Sequence, residues 1–136
     1  MDCLFCKIIA GDVRAEVVYR DDVAYAVMDI HPRSPGHAFV IPKKHYVTLS
    51  DVPDAEMGAV FVAVRNVAEK IRKALAPDGF TIGINHGRDS GQEIDHLHIH
   101  IMPRYKGDGG GSAQSVVNNP PIESIGAIAE KIRGSS

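Results

Sequence analysis

Residues 96–100 read His-Leu-His-Ile-His, and this alternation constrains the fold more than any other stretch of the chain. A strand sends successive side chains to opposite faces. The segment therefore predicts a strand with three imidazoles on one face and an apolar row of Leu97, Ile99 and Ile101 on the other, closed by Pro103. One face suits a core and the other a site. Same-face neighbours on a strand lie roughly 6.6 Å apart and the outer pair about 13 Å apart, whereas a tetrahedral zinc holds its ligand nitrogens ~3.3 Å from one another. Two adjacent histidines can bend onto one ion, but the outer two cannot both do so, and the three must divide their labour. Imidazole is both the commonest metal ligand and the side chain that titrates nearest neutral pH. The residues alone leave open a metal site and a nucleophile with its helpers.

The chain has 136 residues, the size of one domain with a real core, and its 44% hydrophobic and 24% charged residues are ordinary for a globular protein. The net charge is −2 and no basic cluster is longer than Lys43-Lys44. The electrostatic footprint of a DNA- or RNA-binding domain is missing, so a nucleotide is a better expectation than a nucleic acid. No apolar run approaches the ~20 residues of a membrane span, and the N-terminus lacks the basic-then-apolar pattern of a leader. The expectation is a cytoplasmic protein without a membrane partner. In that setting the Cys3-x-x-Cys6 spacing points to metal or redox chemistry rather than a structural disulfide.

Residues 16–19 and 23–28 are β-rich runs separated by Asp21-Asp22, a hairpin-like pattern, and 37–41 is a third run ending at Pro42. Met57, Phe61, Val64, Ala68, Ile71 and Leu75 then recur at three- and four-residue steps, which predicts an amphipathic helix with its start near 51–54 and its stop at Pro77-Asp78-Gly79. A fourth strand over 80–85 leads through the loop 87–91 into the histidine strand, giving at least five strands. The glycine-rich stretch 107–112 lacks the Gly-Lys-Ser/Thr of a phosphate loop and reads as a flexible connection. Ile122, Ile125, Ile128 and Ile132 predict a short C-terminal helix after Pro120-Pro121. Strands and helices do not alternate regularly, so the class is α+β. The expected organisation is one domain over 1–136, with a motif-bearing core at 1–106 and a glycine-rich connection and C-terminal segment at 107–136.

The run His-φ-His-φ-His-φ-φ, with φ apolar, is complete from His96 to Met102. With it come Gly91-Gln92-Glu93, Asn85, Asp29-Ile30-His31-Pro32, Pro35-Gly36-His37, Ile41-Pro42-Lys43-Lys44-His45 and the opening Cys3-Leu4-Phe5-Cys6-Lys7-Ile8-Ile9. Together these resemble the histidine-triad (HIT) family of nucleotide hydrolases and transferases. Several ordered matches are far more specific than one short pattern. The resemblance implies an antiparallel five-stranded sheet with the long helix packed on it, and two subunits pairing as a homodimer that extends the sheet.

It further implies cleavage at the α-phosphate of a purine nucleotide conjugate, of phosphoramidate or dinucleoside polyphosphate type, through a covalent nucleotidyl-histidine on His98. His100 would hydrogen-bond the phosphate or leaving group, Gln92 and Asn85 would orient the phosphate, and Gly91 would let the backbone approach. Asp29 would accept from the ribose hydroxyls, with Leu4, Phe5, Ile8, Val27 and Ile30 around the base. Zinc-bearing members of the family imply a structural zinc on Cys3, Cys6, His45 and His96, with His37 a nearby supporting partner. His31 and His86 sit in turn-like surroundings and are expected to face solvent. Two other readings remain: a nucleotide-binding or sensing protein with little turnover, and a hydrolase in which the triad holds a catalytic metal. Glu93 departs from the Hint-type branch, which carries a hydroxyl residue there. A carboxylate pointing at a phosphate is repulsive, so either Glu93 points away or the leaving-group preference differs.

Overall fold

The protein is described from a computed structural model that covers residues 2–135. A short helix α1 (Leu4–Ala10) precedes strands β1 (Val17–Arg20), β2 (Ala24–Met28) and β3 (Ala38–Pro42). The long helix α2 (Asp54–Leu75), β4 (Gly79–Gly83), β5 (Ile99–Arg104) and a final helix α3 (Ile125–Arg133) complete the order. The five strands form one antiparallel sheet in the order β1-β2-β3-β5-β4. This is the α+β architecture expected from the sequence.

The sheet has two covered faces, and its register decides what each carries. Ala26 pairs with Val40 and Val40 with Ile99, a row that faces α2 together with Ala24, Ala38 and Ile101. Three alanines in this layer let the helix approach closely, and its buried side is Val60, Ala63, Val64, Val67 and Ile71. Each such Val or Ile contributes roughly 1.5–3 kcal/mol relative to exposure. On the opposite face Val27 pairs with Phe39 and Phe39 with His100, so an apolar row runs straight into the triad. Helix α1 lays Phe5 and Cys3 on that row beside Ile41.

Some boundaries differ from the sequence reading. The helix stripe is rotated: Val64 and Ile71 are buried as expected, but Phe61 and Leu75 are 41% and 46% exposed. Helix α2 carries apolar residues on more than one face, and periodicity alone does not say which one meets the sheet. Pro103 lies inside β5 rather than after it. Its side of the strand has run past the start of β3, where Ser34 Oγ donates to the Pro103 carbonyl at 2.7 Å, so no ladder partner asks for the missing N–H. Ladder pairing of β5 with β3 begins at Ile99, leaving His96 and His98 on the lead-in to the strand. Gly36 turns the chain into β3 at φ +91°, a backbone conformation that side chains rarely adopt, so the turn requires glycine.

The start of the glycine-rich connection is braced. Arg104 grips Asp108 at 2.8 and 3.0 Å, and Asp108 accepts from the N–H groups of Tyr105 and Gly110. The Arg104 guanidinium and these two N–H groups hold the Asp108 carboxyl well below its ordinary range. Farther on, Ser124 Oγ caps α3, whose Ile125 and Ile132 are exposed, as are Val116, Val117 and Ile122 before it. No helix is long and apolar enough to cross a membrane among the described residues.

Candidate functional site

His98 and His100, but not His96, open onto a cavity of about 490 Å³ between α1 and the sheet. Leu4, Phe5, Ile8, Val13, Ala15 and Val27 give it an apolar lining, Asn85, Gly91, Glu93, His98 and His100 a polar one, and Asp29, Ile30 and His31 also line it. Phe5 and Val27 are buried, whereas Ile30 is 82% exposed and so forms a rim rather than a wall.

Hydrogen bonds fix which ring nitrogens carry protons. His98 Nδ1 lies 2.8 Å from the carbonyl oxygen of His96. A carbonyl only accepts, so Nδ1 holds the proton and the Nε2 lone pair is free. The second chain begins at Arg33, whose backbone N–H donates to His37 Nδ1 at 3.1 Å. His37 then carries its proton on Nε2, which stands 3.0 Å from His100 Nδ1 and 3.4 Å from Asp29 Oδ2. Burial holds His37 below its ordinary value although Asp29 pulls the other way. Burial, with His98 and His37 beside it, pushes His100 down to about 4. Both rings are neutral at neutral pH. His100 therefore accepts at Nδ1 and presents Nε2–H as a donor. The site holds one free lone pair on His98 and one fixed donor on His100.

A second cluster lies behind the first. Cys3 Sγ is 3.4 Å from His96 Nδ1, Cys6 Sγ is 3.4 Å from His45 Nδ1 and 3.6 Å from His96 Nδ1, and the four ligand atoms all fall within 4.8 Å of one another. Zn–S bonds of ≈ 2.3 Å and Zn–N bonds of ≈ 2.0–2.1 Å place S and N ligands roughly 3.5 Å apart around a tetrahedron, so the residues fit zinc. His96 is fully buried, and its Nε2 donates to the Pro42 carbonyl at 2.8 Å. That contact leaves Nδ1 with a lone pair aimed at the sulfurs, the supporting contact a metal-binding imidazole needs. Burial raises the Cys6 thiol above its ordinary value, and the neighbouring Cys3 adds to this; a cation among the four would reverse that penalty. Asp29, His37 and His100 also lie within 4.8 Å of one another. There the two imidazoles are already joined to each other by the 3.0 Å contact, so a metal would have to replace a hydrogen bond that is made.

A family model described as the HIT domain matches residues 10–107. The chain belongs to the histidine-triad (HIT) family. It is 48% identical over 107 residues to an uncharacterised HIT-like protein of Methanocaldococcus jannaschii, covering 79% of this chain and 82% of that one. It is 41% identical over 107 residues to the adenylylsulfatase HINT3 of Arabidopsis thaliana, covering 79% of this chain and 54% of the relative. Among solved structures, a HIT family member from Bacillus subtilis superposes with a TM-score of 0.85 at 36% identity over 100% of both chains. A Zn-bound histidine triad family protein from Mycobacterium smegmatis gives 0.75 at 37% identity over 80% of this chain and 79% of that one. HIT proteins are in general nucleotide-binding hydrolases and transferases.

In this HIT chain Leu4, Phe5, Ile8, Val27, Asp29, Ile30, Asn85, Gly91, His98 and His100, singled out from the sequence, all line the one cavity. Gly91 adopts φ +106° at the turn into the loop that carries Glu93, a conformation that side chains rarely adopt. Gln92 departs from its expected place. Its side chain is 3% exposed, accepts from Gly87 N–H at 2.9 Å, and donates to the carbonyls of Val47 and Ile94 at 2.7 and 3.1 Å. All three bonds go to backbone, so the amide braces the loop from behind and does not line the cavity. Phe39 and Arg14 line it without having been singled out. The pairing of Phe39 with His100 is a register fact that no local pattern carries. His86 is exposed as expected, while His31, also exposed, lies on the cavity rim.

Proposed function

We propose that this protein cleaves a purine nucleotide conjugate at its α-phosphorus through a covalent nucleotidyl-histidine on His98. The observation that carries this reading is the 2.8 Å contact between His98 Nδ1 and the His96 carbonyl, which leaves the Nε2 lone pair free in a cavity with an apolar lining. In the first step that lone pair forms an N–P bond. The bond from phosphorus to the leaving atom breaks, its electron pair stays on that atom, and a solvent proton neutralises it. Water then attacks phosphorus, the N–P bond returns its pair to Nε2, and a nucleoside monophosphate leaves. The Nε2–H of His100 and the Asn85 amide are placed to stabilise charge on the phosphoryl oxygens. Asp29 Oδ1 accepts from His31 N–H at 2.8 Å, and Oδ2, 3.4 Å from His37 Nε2, has a further lone pair to accept from a ribose hydroxyl. The name of the Arabidopsis relative, an adenylylsulfatase, supports a nucleotide-to-leaving-group bond as the class of bond broken.

Zinc would be held by Cys3, Cys6, His45 and His96. When bound it ties α1 to the sheet and supplies no reacting position, because four protein ligands close the tetrahedron. The protein works as a cytoplasmic homodimer in this reading, where a reduced Cys-x-x-Cys pair can hold metal.

The test is an acid quench during turnover of an adenosine 5′-phosphoramidate, followed by intact mass and peptide mapping. The adduct should map to His98, and His98→Ala should lose at least ~10³-fold in kcat/KM while binding AMP within a few-fold of wild type. Near-normal turnover by His98→Ala would sink covalent catalysis here.

A further inference from the structure

Glu93 is the acidic residue that lines both the triad cavity and the cavity adjoining it. Its loop is held rigidly: Arg88 Nη1 donates to the carbonyls of Gln92 and Glu93 at 3.3 and 2.9 Å, and the buried Gln92 amide ties the same loop to Val47 and Gly87. Glu93 lines the triad cavity together with His98 and Asn85. It also lines an adjoining cavity of about 390 Å³ with Asp2, Cys3, His45 and Asp95, and Leu4 and Ile94 are shared by both. The carboxylate is therefore at the junction.

The charges around it are one-sided. Arg14, between Val13 and Ala15 in the chain, is the only Lys or Arg among the described residues lining the triad cavity. The outer cavity has none. Asp2 is paired with Lys7 at 2.9 Å and Asp95 with Arg88 at 2.8 Å, which leaves the Glu93 carboxylate without a hydrogen bond or ion pair among the described residues. In the nucleotidyl-transfer reading the base packs on the apolar lining, the phosphorus meets His98, and the departing group leaves past Glu93.

We infer that Glu93 sets the leaving-group charge this protein accepts, selecting amines that carry a further positive charge over anionic leaving groups such as sulfate, carboxylates or a second phosphate. This rests on the nucleotidyl-transfer reading above and adds the substrate class. In the selected reaction the P–N bond breaks, its pair stays on nitrogen, and nitrogen takes a proton from solvent as the N–P bond to His98 forms. The second ammonium of the amine pairs with the Glu93 carboxylate. An anionic group at the same place is repelled by a carboxylate that no Lys or Arg side chain of either lining offsets.

The experiment compares three amides of adenosine 5′-monophosphate that differ only in remote charge: those of 1,3-diaminopropane (cation), 3-aminopropanol (neutral) and β-alanine (anion). Values of kcat and KM are taken for wild type, Glu93→Gln and Glu93→Lys at low and high salt. The wild-type kcat/KM ratio of cation to anion should be at least about tenfold and should shrink with salt. Glu93→Gln should bring it to about twofold or less, and Glu93→Lys should invert it. An unchanged ratio in all three proteins overturns the role of Glu93 and leaves the hydrolase reading standing. Failure of every amide to turn over overturns both.

Discussion

A backbone N–H at Arg33 decides which nitrogen of His100 carries a proton. It occupies His37 Nδ1, His37 Nε2–H then occupies His100 Nδ1, and the remaining His100 nitrogen faces the cavity as a donor. The arrangement works only while both rings are neutral, and burial keeps them so. This has a stability consequence with a definite sign. The folded value of His100 is about 4 against 6.5 for the free side chain, so between these values the unfolded chain binds more protons than the folded one. Its contribution is fully present above pH 6.5 and is lost as pH falls toward 4, by up to about 3 kcal/mol. Urea unfolding of wild type and His100→Gln at matched metal loading should diverge over that window, with wild type losing more stability. Any metal loss is common to both proteins and cancels. Parallel curves would mean that His100 is protonated in the fold without penalty.

Among elements, α1 is the one whose position depends on chemistry beyond packing. It has seven residues, too few to be stable alone, and it is anchored by Phe5 on Phe39 and by the cysteines that face His45 and His96. Cys3 Sγ also accepts from the Cys6 N–H at 3.4 Å, so one sulfur caps the helix and faces the cluster. Cys3→Ser keeps a capping oxygen and removes a thiolate ligand. Zinc content should fall, and the melting temperature should fall with it by more than about 5 °C. Most of the His98 chemistry should survive. A metal-free wild type melting with the zinc-loaded form would rule out the structural site. The strands and the triad face were legible because alternation has a period of two and turn residues punctuate it. The facing of α2 was not, since Val60, Val64 and Val67 compete with Phe61 and Val62 for the sheet and only the small Ala24, Ala26 and Ala38 opposite decide the matter. Gln92 was legible as a motif residue and illegible as a brace, because its partner Val47 comes from a loop 45 residues away in sequence.

At the scale of the molecule, the β4 edge of the sheet and an apolar part of α2 lie open in the single chain. Strand β4 ends the sheet, with Ile82 46% exposed, and α2 shows Phe61 and Val62 at 41% and 45%. Unpaired edge N–H and C=O groups beside exposed apolar side chains favour pairing with another chain. A second copy related by a two-fold axis meets this need in the simplest way, since antiparallel β4 strands would extend the sheet and bring two α2 faces together. Light scattering should then give twice the 14.7 kDa chain mass at micromolar concentration. Phe61→Glu introduces a charge on the helix face, outside the buried stripe of α2 and away from the triad cavity, so each chain should stay folded while the mass falls to that of one chain. Far-UV circular dichroism separates loss of pairing from loss of fold. A wild type that runs at 14.7 kDa at all concentrations, or a Phe61→Glu protein that keeps the doubled mass, would exclude this face as the contact.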